Sequence, residues 1–445
     1  MGESLEKIPT RTNGEDANET VAETASDTPK APPPPPNGGL EAWLTVLAGF
    51  CLYTNAWGLL STFGAFQEYY QTVLLKGESP SAISWIGSVQ STLIVLMGVI
   101  AGPMVDAGWL RTLVFTSSFM VVFGMMMTSL VTEYYQALLA QGFCVGIGGG
   151  LGYTPALVVI SSKFTTKRPI AIGIASLGSS VGSVIFPIVF RRLQPNIGFP
   201  WAVRVIAFLN LALAIIACAI LLRKPGNKTR ARSLIEPKAL TEPNFMLLAV
   251  SLICVFLAFY IPLFYIPSYA RTKLGTDRDL SFYMLSIING ASAFGRTTPF
   301  LLGARVKPMY VLLWAVGASV IALFTWIAAT SEAGLIVWLC YWGYLMGTLV
   351  TAPAAIVGHP VFCPDFNFLG TRMGMMWGIC SVGGLVGTPI AGALVDLDTG
   401  YFLRAQIFAG CLMLGAFVLQ LWPTYSVFKH DRSKAKSQGD VPSAH

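Results

Sequence analysis

Charge is scarce in this sequence. Only 11% of its residues are Asp, Glu, Lys or Arg, against roughly 25% in soluble domains. With 54% hydrophobic residues, the chain lacks the polar surface that a water-soluble exterior needs. Histidine is rarer still: His359, His430 and His445 are the only three. Of the eight cysteines, Cys51, Cys144, Cys218, Cys254, Cys340, Cys380 and Cys411 fall inside apolar runs and Cys363 alone lies in a loop. That pattern excludes a disulfide framework. No metal-ligand cluster and no complete phosphate-binding loop occurs in the sequence, so no metal, no cofactor and no nucleotide hydrolysis are expected. No cleaved signal peptide is expected either. Residues 1–40 are polar and acidic, end in the run Pro32 to Pro36, and read as a disordered cytoplasmic tail.

Apolar runs are what the chain has in abundance. A helix needs about 20 such residues to cross a hydrocarbon core ~30 Å thick. In lipid the backbone must satisfy its own hydrogen bonds, so these runs are helices. Twelve spans are expected, near 43–66, 83–104, 112–131, 135–160, 170–190, 202–222, 245–269, 282–302, 309–329, 335–357, 373–395 and 403–422. The fold class is therefore all-α. Two six-helix bundles, 41–222 and 244–422, are joined by a solvated cytoplasmic linker at 223–243 and followed by a cytoplasmic tail at 423–445.

The net charge of +7 fits basic loops on one membrane face better than a nucleic-acid partner, which is not expected. With the N-terminus inside, 20 of the 29 Lys and Arg residues are cytoplasmic, eight lie in or beside exterior loops, and Arg296 alone is inside a span. Lys163, Lys167, Arg168, Arg305 and Lys307 in short loops carry most of the weight. Both termini are placed in the cytoplasm and the plasma membrane is the expected location. Asn18 and Asn227 head glycosylation triplets, but both fall on the cytoplasmic side.

The two halves resemble each other. Span 5 contains Ser180-Val181-Gly182 and then Pro187-Ile188, and span 11 contains Ser381-Val382-Gly383 and then Pro389-Ile390. Internal repeats of this kind mark transporters, with the solute site near the midplane between the halves. Small-residue pairs at Gly98/Gly102, Gly178/Gly182, Gly343/Gly347, Gly374/Gly378 and Gly383/Gly387 permit close helix approach, whether for fixed packing or for sliding. Gly178-Ser179-Ser180-Val181-Gly182 matches a hydrolase nucleophile pattern. Inside a transmembrane helix and far from any histidine it is read as packing, so no enzyme is expected. Arg296 is a solute-site candidate, since an intramembrane Arg costs ~3 kcal/mol or more. No Asp, Glu or His is placed well inside a span, which predicts a weak pH dependence.

Four stretches carry a resemblance. Asn37-Gly38-Gly39-Leu40-Glu41-Ala42-Trp43 enters span 1. Lys163-Phe164 continues through Lys167-Arg168 to Gly178-Ser179. Gly102-x-x-x-Asp106-Ala107-Gly108 leads to Arg111, and Phe294-Gly295-Arg296 ends a polar stretch of span 8. Together, over roughly residues 37–425, they resemble the major facilitator superfamily and within it the monocarboxylate porter family, particularly its fungal-type members. Gly38, Gly39, Trp43, Lys167 and Arg168 are the signature positions. The resemblance implies a central cavity and alternating access. It implies gating by Gly102, Asp106 and Arg111, and a solute carboxylate on Arg296 beside Ser61, Asn289 and Ser292. Ser61 and Ser292 stand where proton-coupled lactate carriers of the family have a lysine and an acid, so lactate–proton symport is not carried over.

The expected function is a transporter of a small organic, anionic, monocarboxylate-like solute. The alternatives are an efflux carrier of a secondary metabolite, with Trp57, Phe63, Tyr344 and Trp377 as candidate lining, and a non-transporting nutrient sensor of the same fold. The lipid bilayer and a small-molecule solute are the partners. Topology is directly testable. Cysteine placed at Gly226 or Ser437 should react with an impermeant thiol reagent only in opened cells, and cysteine at Gly77 in intact ones. Labelling of Gly226→Cys from outside a plasma-membrane protein would invert the topology.

Overall fold

The computed structural model describes residues 38–164, 167–223, 232–302, 306–397 and 399–439. The expected N-terminal tail through residue 37 lies outside that range, as do Asn18, Asn227, Arg305 and the linker's Lys224, Lys228 and Arg230. The described chain is helical throughout its length, and its one β feature among the described residues is an isolated bridge between Asp396 and Tyr401.

Among the described residues, ten helices are long and apolar enough to cross a membrane. One of them, Ile170–Leu221, has 52 residues, or about 78 Å at 1.5 Å per residue, which is two crossings. The chain turns within it at Gly198, whose φ of 78° departs from helical geometry between Pro195 and Pro200. An eleventh crossing is thus resolved. The twelfth, Arg278–Leu302, falls short on apolarity because it carries Ser281, Ser286, Asn289, Ser292, Arg296, Thr297 and Thr298. The helices are α1 (Leu40–Leu74), α2 (Pro80–Asp106), α3 (Leu110–Thr128), α4 (Tyr134–Lys163), α5 (168–197) and α6 (199–221). The second six are α7 (Pro243–Leu274), α8 (Arg278–Leu302), α9 (Pro308–Thr325), α10 (Glu332–Ile356), α11 (Leu369–Leu394) and α12 (Leu403–Gly439). Leu40 and the end of α12 share one side, called here the terminal side; the opposite side is the far side.

Two boundaries differ from the sequence reading. α1 continues past residue 66 to Leu74 through a π-helical turn, Tyr70–Leu74, which brings Glu68 inside the helix. α12 does not stop at residue 422 but runs to Gly439. Its extension is tied down where Asp431 meets Lys307 and lies 3.2 Å from His359 Nε2.

Packing repeats between the halves. α1 packs on α5 as α7 packs on α11, and α2 on α4 as α8 on α10. The halves meet where α2 crosses α11 and α5 crosses α8. α3, α6, α9 and α12 turn large apolar side chains outward: Phe115 is 61% exposed, Ile215 59%, Ile321 62% and Val418 56%. Such a continuous apolar exterior suits hydrocarbon and not water.

Lipid gives helices no hydrophobic drive to associate, so close approach must supply the contact. The repeated glycines do this at equivalent places. Gly178 and Gly182 of α5 lie against Phe50, Thr54 and Gly58 of α1, while Gly383 and Gly387 of α11 lie against the backbone of Ile253 and Leu257 of α7. A methyl group at Gly387 would meet Leu257 backbone, which cannot swing aside, whereas one at Gly415 would meet open space. Gly387→Ala should therefore lower stability by about 1–3 kcal/mol, read as a drop of several degrees in thermal unfolding of the detergent-solubilised protein. Gly415→Ala should cause no loss, since alanine favours helix by up to ~1 kcal/mol.

Candidate functional site

Arg296 sits on α8 about 9 Å along the helix from Leu302, at the crossing with α5. Its Nη1 donates to Ser179 Oγ at 2.7 Å, so the guanidinium bridges the two halves. Its Nε is buried without a partner among the described residues. The phenols of Tyr53 on α1 and Tyr260 on α7 lie within range of its charge. α8 can place the guanidinium here because Gly295 and Gly347 let α8 and α10 touch backbone to backbone, a contact fastened by Thr348 Oγ1 donating to the Gly295 carbonyl at 3.0 Å.

An aromatic wall surrounds this position. α1 widens into a π-helical turn at Thr54–Gly58, a distortion that often accompanies functional sites. Tyr53 precedes that turn and Trp57 lies within it, and both meet Tyr153 of α4 edge-on, at 5.5 and 5.6 Å between ring centres. From the other half, Phe256 stands 5.6 Å from Trp377. A narrow cleft between the halves runs past Ser91, Thr92, Tyr260, Trp377 and Ser381. Of the other aromatic candidates, Phe63 is fully buried 4.8 Å from Phe264. The Tyr344 hydroxyl accepts a hydrogen bond from Thr298 Oγ1 at 2.9 Å.

The remaining sequence candidates near Arg296 are engaged locally. Asn289 Nδ2 donates to the Leu285 carbonyl at 2.8 Å and Ser292 Oγ to the Asn289 carbonyl at 2.8 Å. Ser61 is half-buried on α1.

Toward the far side the halves close on each other. Ser84 pairs with Tyr265 and Ser88 with Thr388. Ser81 Oγ donates to the Pro389 carbonyl at 2.9 Å, and Ser268 Oγ donates to Gln71 Oε1 at 3.0 Å. The ion pair Glu68–Arg271 lies at the same level. Glu68 corrects the expectation that no acid is well buried in a span: its side chain is 1% exposed.

At the terminal side the signature stretches come together. Gly39, at φ 95°, caps α1 with a backbone conformation that other residues rarely adopt, and Gly38 precedes it. Trp43 packs edge-on to Phe164 at 5.3 Å, Lys163 Nζ lies 3.3 Å from Glu41, Arg168 Nε donates to the Phe164 carbonyl at 3.1 Å, and Lys167 caps α5. Asp106 ends α2 and accepts two hydrogen bonds from Arg232, at 2.6 and 3.1 Å. Arg232 belongs to the linker. Its guanidinium lies against Gly102 of α2 and Gly370 of α11, where any side chain on Gly370 would collide with it. Arg111 lies exposed near the start of α3. The described part of the linker is thus tied to the protein through Arg232, while most of its side chains stay exposed. Arg372 of α11, nearly fully buried, is held by Glu236 at 2.7 and 2.9 Å, by Glu242 at 2.5 and 2.9 Å, and by the Phe362 carbonyl at 2.6 Å. Hydrogen bonds from Arg372 hold the Glu242 carboxyl below the usual carboxylate range, so this clamp stays charged at neutral pH and weakens only as pH falls below that range.

Comparison with known proteins bears on this architecture. The family model described as Major Facilitator Superfamily matches residues 45–361. The chain belongs to that superfamily. It is 41% identical to the MFS-type transporter dbaD of Emericella nidulans, over 81% of this chain and 80% of that protein. It is 37% identical to the Fujikurins efflux protein of Gibberella fujikuroi, over 91% of this chain and 88% of that one. A crystal structure of the peptide transporter POT superposes with a TM-score of 0.67 at 13% identity, covering 87% of this chain and 95% of that one, which is a likeness of fold. The protein is a multi-pass membrane transporter of the major facilitator type.

In such a carrier the contacts between halves must break on one side at a time. The pair Asp106–Arg232, wedged between α2 and α11, is a charged terminal-side contact at the seam of the halves. Val99 of α2 lies in this seam against Gly374 of α11. A cysteine at Val99 should be alkylated from the terminal side about tenfold faster in Arg232→Ala or Asp106→Asn protein, with the exchange Asp106→Arg plus Arg232→Asp restoring protection. Unchanged labelling in both single variants would remove the pair from the gate.

Proposed function

We propose that this protein exports an organic metabolite bearing an acidic group, by alternating access, and that Arg296 holds the anion. The observation that carries the proposal is Arg296 itself. It is a half-buried guanidinium at the crossing of the two halves, bonded to a neutral hydroxyl and paired with no carboxylate among the described residues. A cation in so apolar a place is stabilised by an anionic partner. A guanidinium binds a carboxylate through two parallel hydrogen bonds. Tyr53, Trp57, Tyr153 and Tyr260 around it suit a planar or aromatic body on the same solute, with stacking faces and phenol donors.

Export, rather than uptake of a simple monocarboxylate, is favoured by the relative named as an efflux protein. The monocarboxylate porter likeness and the export reading agree on an acidic solute and differ on its size. Under this proposal the two halves are residues 41–222 and 244–422, the terminal side is cytoplasmic, and the protein resides in the plasma membrane. Solute enters from the terminal side and leaves at the far side.

Untargeted comparison of metabolites inside and outside cells with and without the protein identifies the solute. Arg296→Ala should then reduce its export at least tenfold, while Arg296→Lys keeps a fraction, with both variants reaching the membrane in normal amount. The methyl ester of the solute should not be exported better by wild type than by Arg296→Ala. A correctly inserted Arg296→Ala protein that exports the acid at the normal rate contradicts the proposal.

A further inference from the structure

The far-side seal contains one buried charge that the transport reading leaves unused. Because α1 extends to Leu74, Glu68 sits within it with its side chain 1% exposed. Its ion-pair partner, Arg271, belongs to α7 in the other half and is 34% exposed. Glu68 Oε2 is buried and has no hydrogen-bond partner among the described residues. Above the pair opens a vestibule of about 560 Å³ lined by both residues together with Gln71, Lys76, Glu78 and Asp396. Those are the charged groups that face the pair: Lys76 and Glu78 from the connection after α1, Arg271 from α7, and Asp396 from the connection after α11. The start of α2 contributes Pro80 to this wall and no charge. Tyr265 of α7, deeper in the seal, is engaged with Ser84.

The rest of the seal consists of neutral hydrogen bonds, which exchange for water at little net cost when the halves part, and apolar ring contacts, whose cost of exposure does not depend on pH. The ion pair behaves differently. Separating a buried carboxylate from its guanidinium leaves an uncompensated charge, which strongly opposes opening. A proton on Glu68 removes that obstacle. The carboxylate takes one proton from water in the vestibule, no other bond breaks, and Arg271 stays cationic with Glu78, Asp396 and solvent beside it.

We propose that Glu68 is a proton-binding site and that the Glu68–Arg271 pair is a proton-released lock on the far side of the transporter. Acid on that side neutralises Glu68 and favours opening toward it; at neutral pH the charged pair holds the seal shut. Because the proton arrives from and returns to the vestibule, the device senses far-side acidity and does not itself couple transport to a proton gradient. The proposal rests on the export reading only in calling the far side exterior.

The test uses Ser91→Cys. Ser91 lies in the cleft beneath the seal, is 2% exposed, and its hydroxyl bonds only within its own helix. An impermeant methanethiosulfonate is applied from the far side to the full-length protein in membranes. Rates are normalised to Gly77→Cys, which stands in open space in the connection after α1 and checks the sidedness independently of any transport. Ser91→Cys should label about threefold faster at about pH 4 than at about pH 7.5, since an ordinary glutamate takes its proton only at about pH 4.3. Adding Glu68→Gln should give the fast rate at both pH values, and Arg271→Gln should do the same should the first variant fail to reach the membrane. A pH response that survives Glu68→Gln, or slow labelling of that variant at neutral pH, overturns the proposal. So does a wild-type rate that does not change with pH.

Discussion

A charge removed from water needs a partner, and in this protein the partners stand across seams. Arg296 of α8 reaches Ser179 of α5, Glu68 of α1 meets Arg271 of α7, and Arg232 of the linker bridges Asp106 of α2 and the start of α11. Arg372, the fourth such group, ties α11 to the linker. Within a half, contacts are overwhelmingly apolar and glycine-mediated. Between halves, apolar packing such as Phe63 on Phe264 is joined by hydroxyl pairs and ion pairs. That division suits a molecule whose halves are rigid bodies and whose seams must open, because hydrogen bonds and ion pairs exchange for water far more easily than packed backbone separates.

The repeat supplies the rigid part. Gly178 and Gly182 seat α5 on α1, and Gly383 and Gly387 seat α11 on α7, so the same short motif performs the same packing in each half. The crossings α2–α11 and α8–α5 are equivalents under that repeat, and the functional charges distinguish them. One crossing carries the linker latch at its terminal end and neutral hydroxyl pairs toward the far side. The other carries Arg296. A nearly symmetric scaffold thereby acquires one asymmetric cation, which is the requirement for binding a solute in one orientation.

Much of this was legible in the sequence, for a definite reason. Twelve apolar runs and the paired Ser-Val-Gly motifs fix span number and repeat because lipid allows few alternatives to a helix. Arg296 stood out because no other ionisable residue interrupts so long an apolar stretch. Reading spans by hydropathy, however, ends each one at its first charge, whereas helices end at caps and turns. Glu68 was thereby left two residues beyond the expected end of span 1, and Arg372 one residue before the expected start of span 11. Arg232 could not be distinguished from its basic neighbours, since its role depends on the cleft between Gly102 and Gly370 and on Asp106, all distant in sequence. Asn289 and Ser292 carry the right chemistry for a solute site, yet their polar atoms bond to their own helix.

The central claim is that the halves part on one side while sealed on the other. It is tested most directly by fixing the seam shut. Ser88 and Thr388 face each other across the halves with their hydroxyls in contact, close enough for a disulfide between cysteines at both positions. Oxidation of the Ser88→Cys, Thr388→Cys protein should abolish transport, and reduction should restore it. Transport that continues at the normal rate through a fully cross-linked protein would contradict the account.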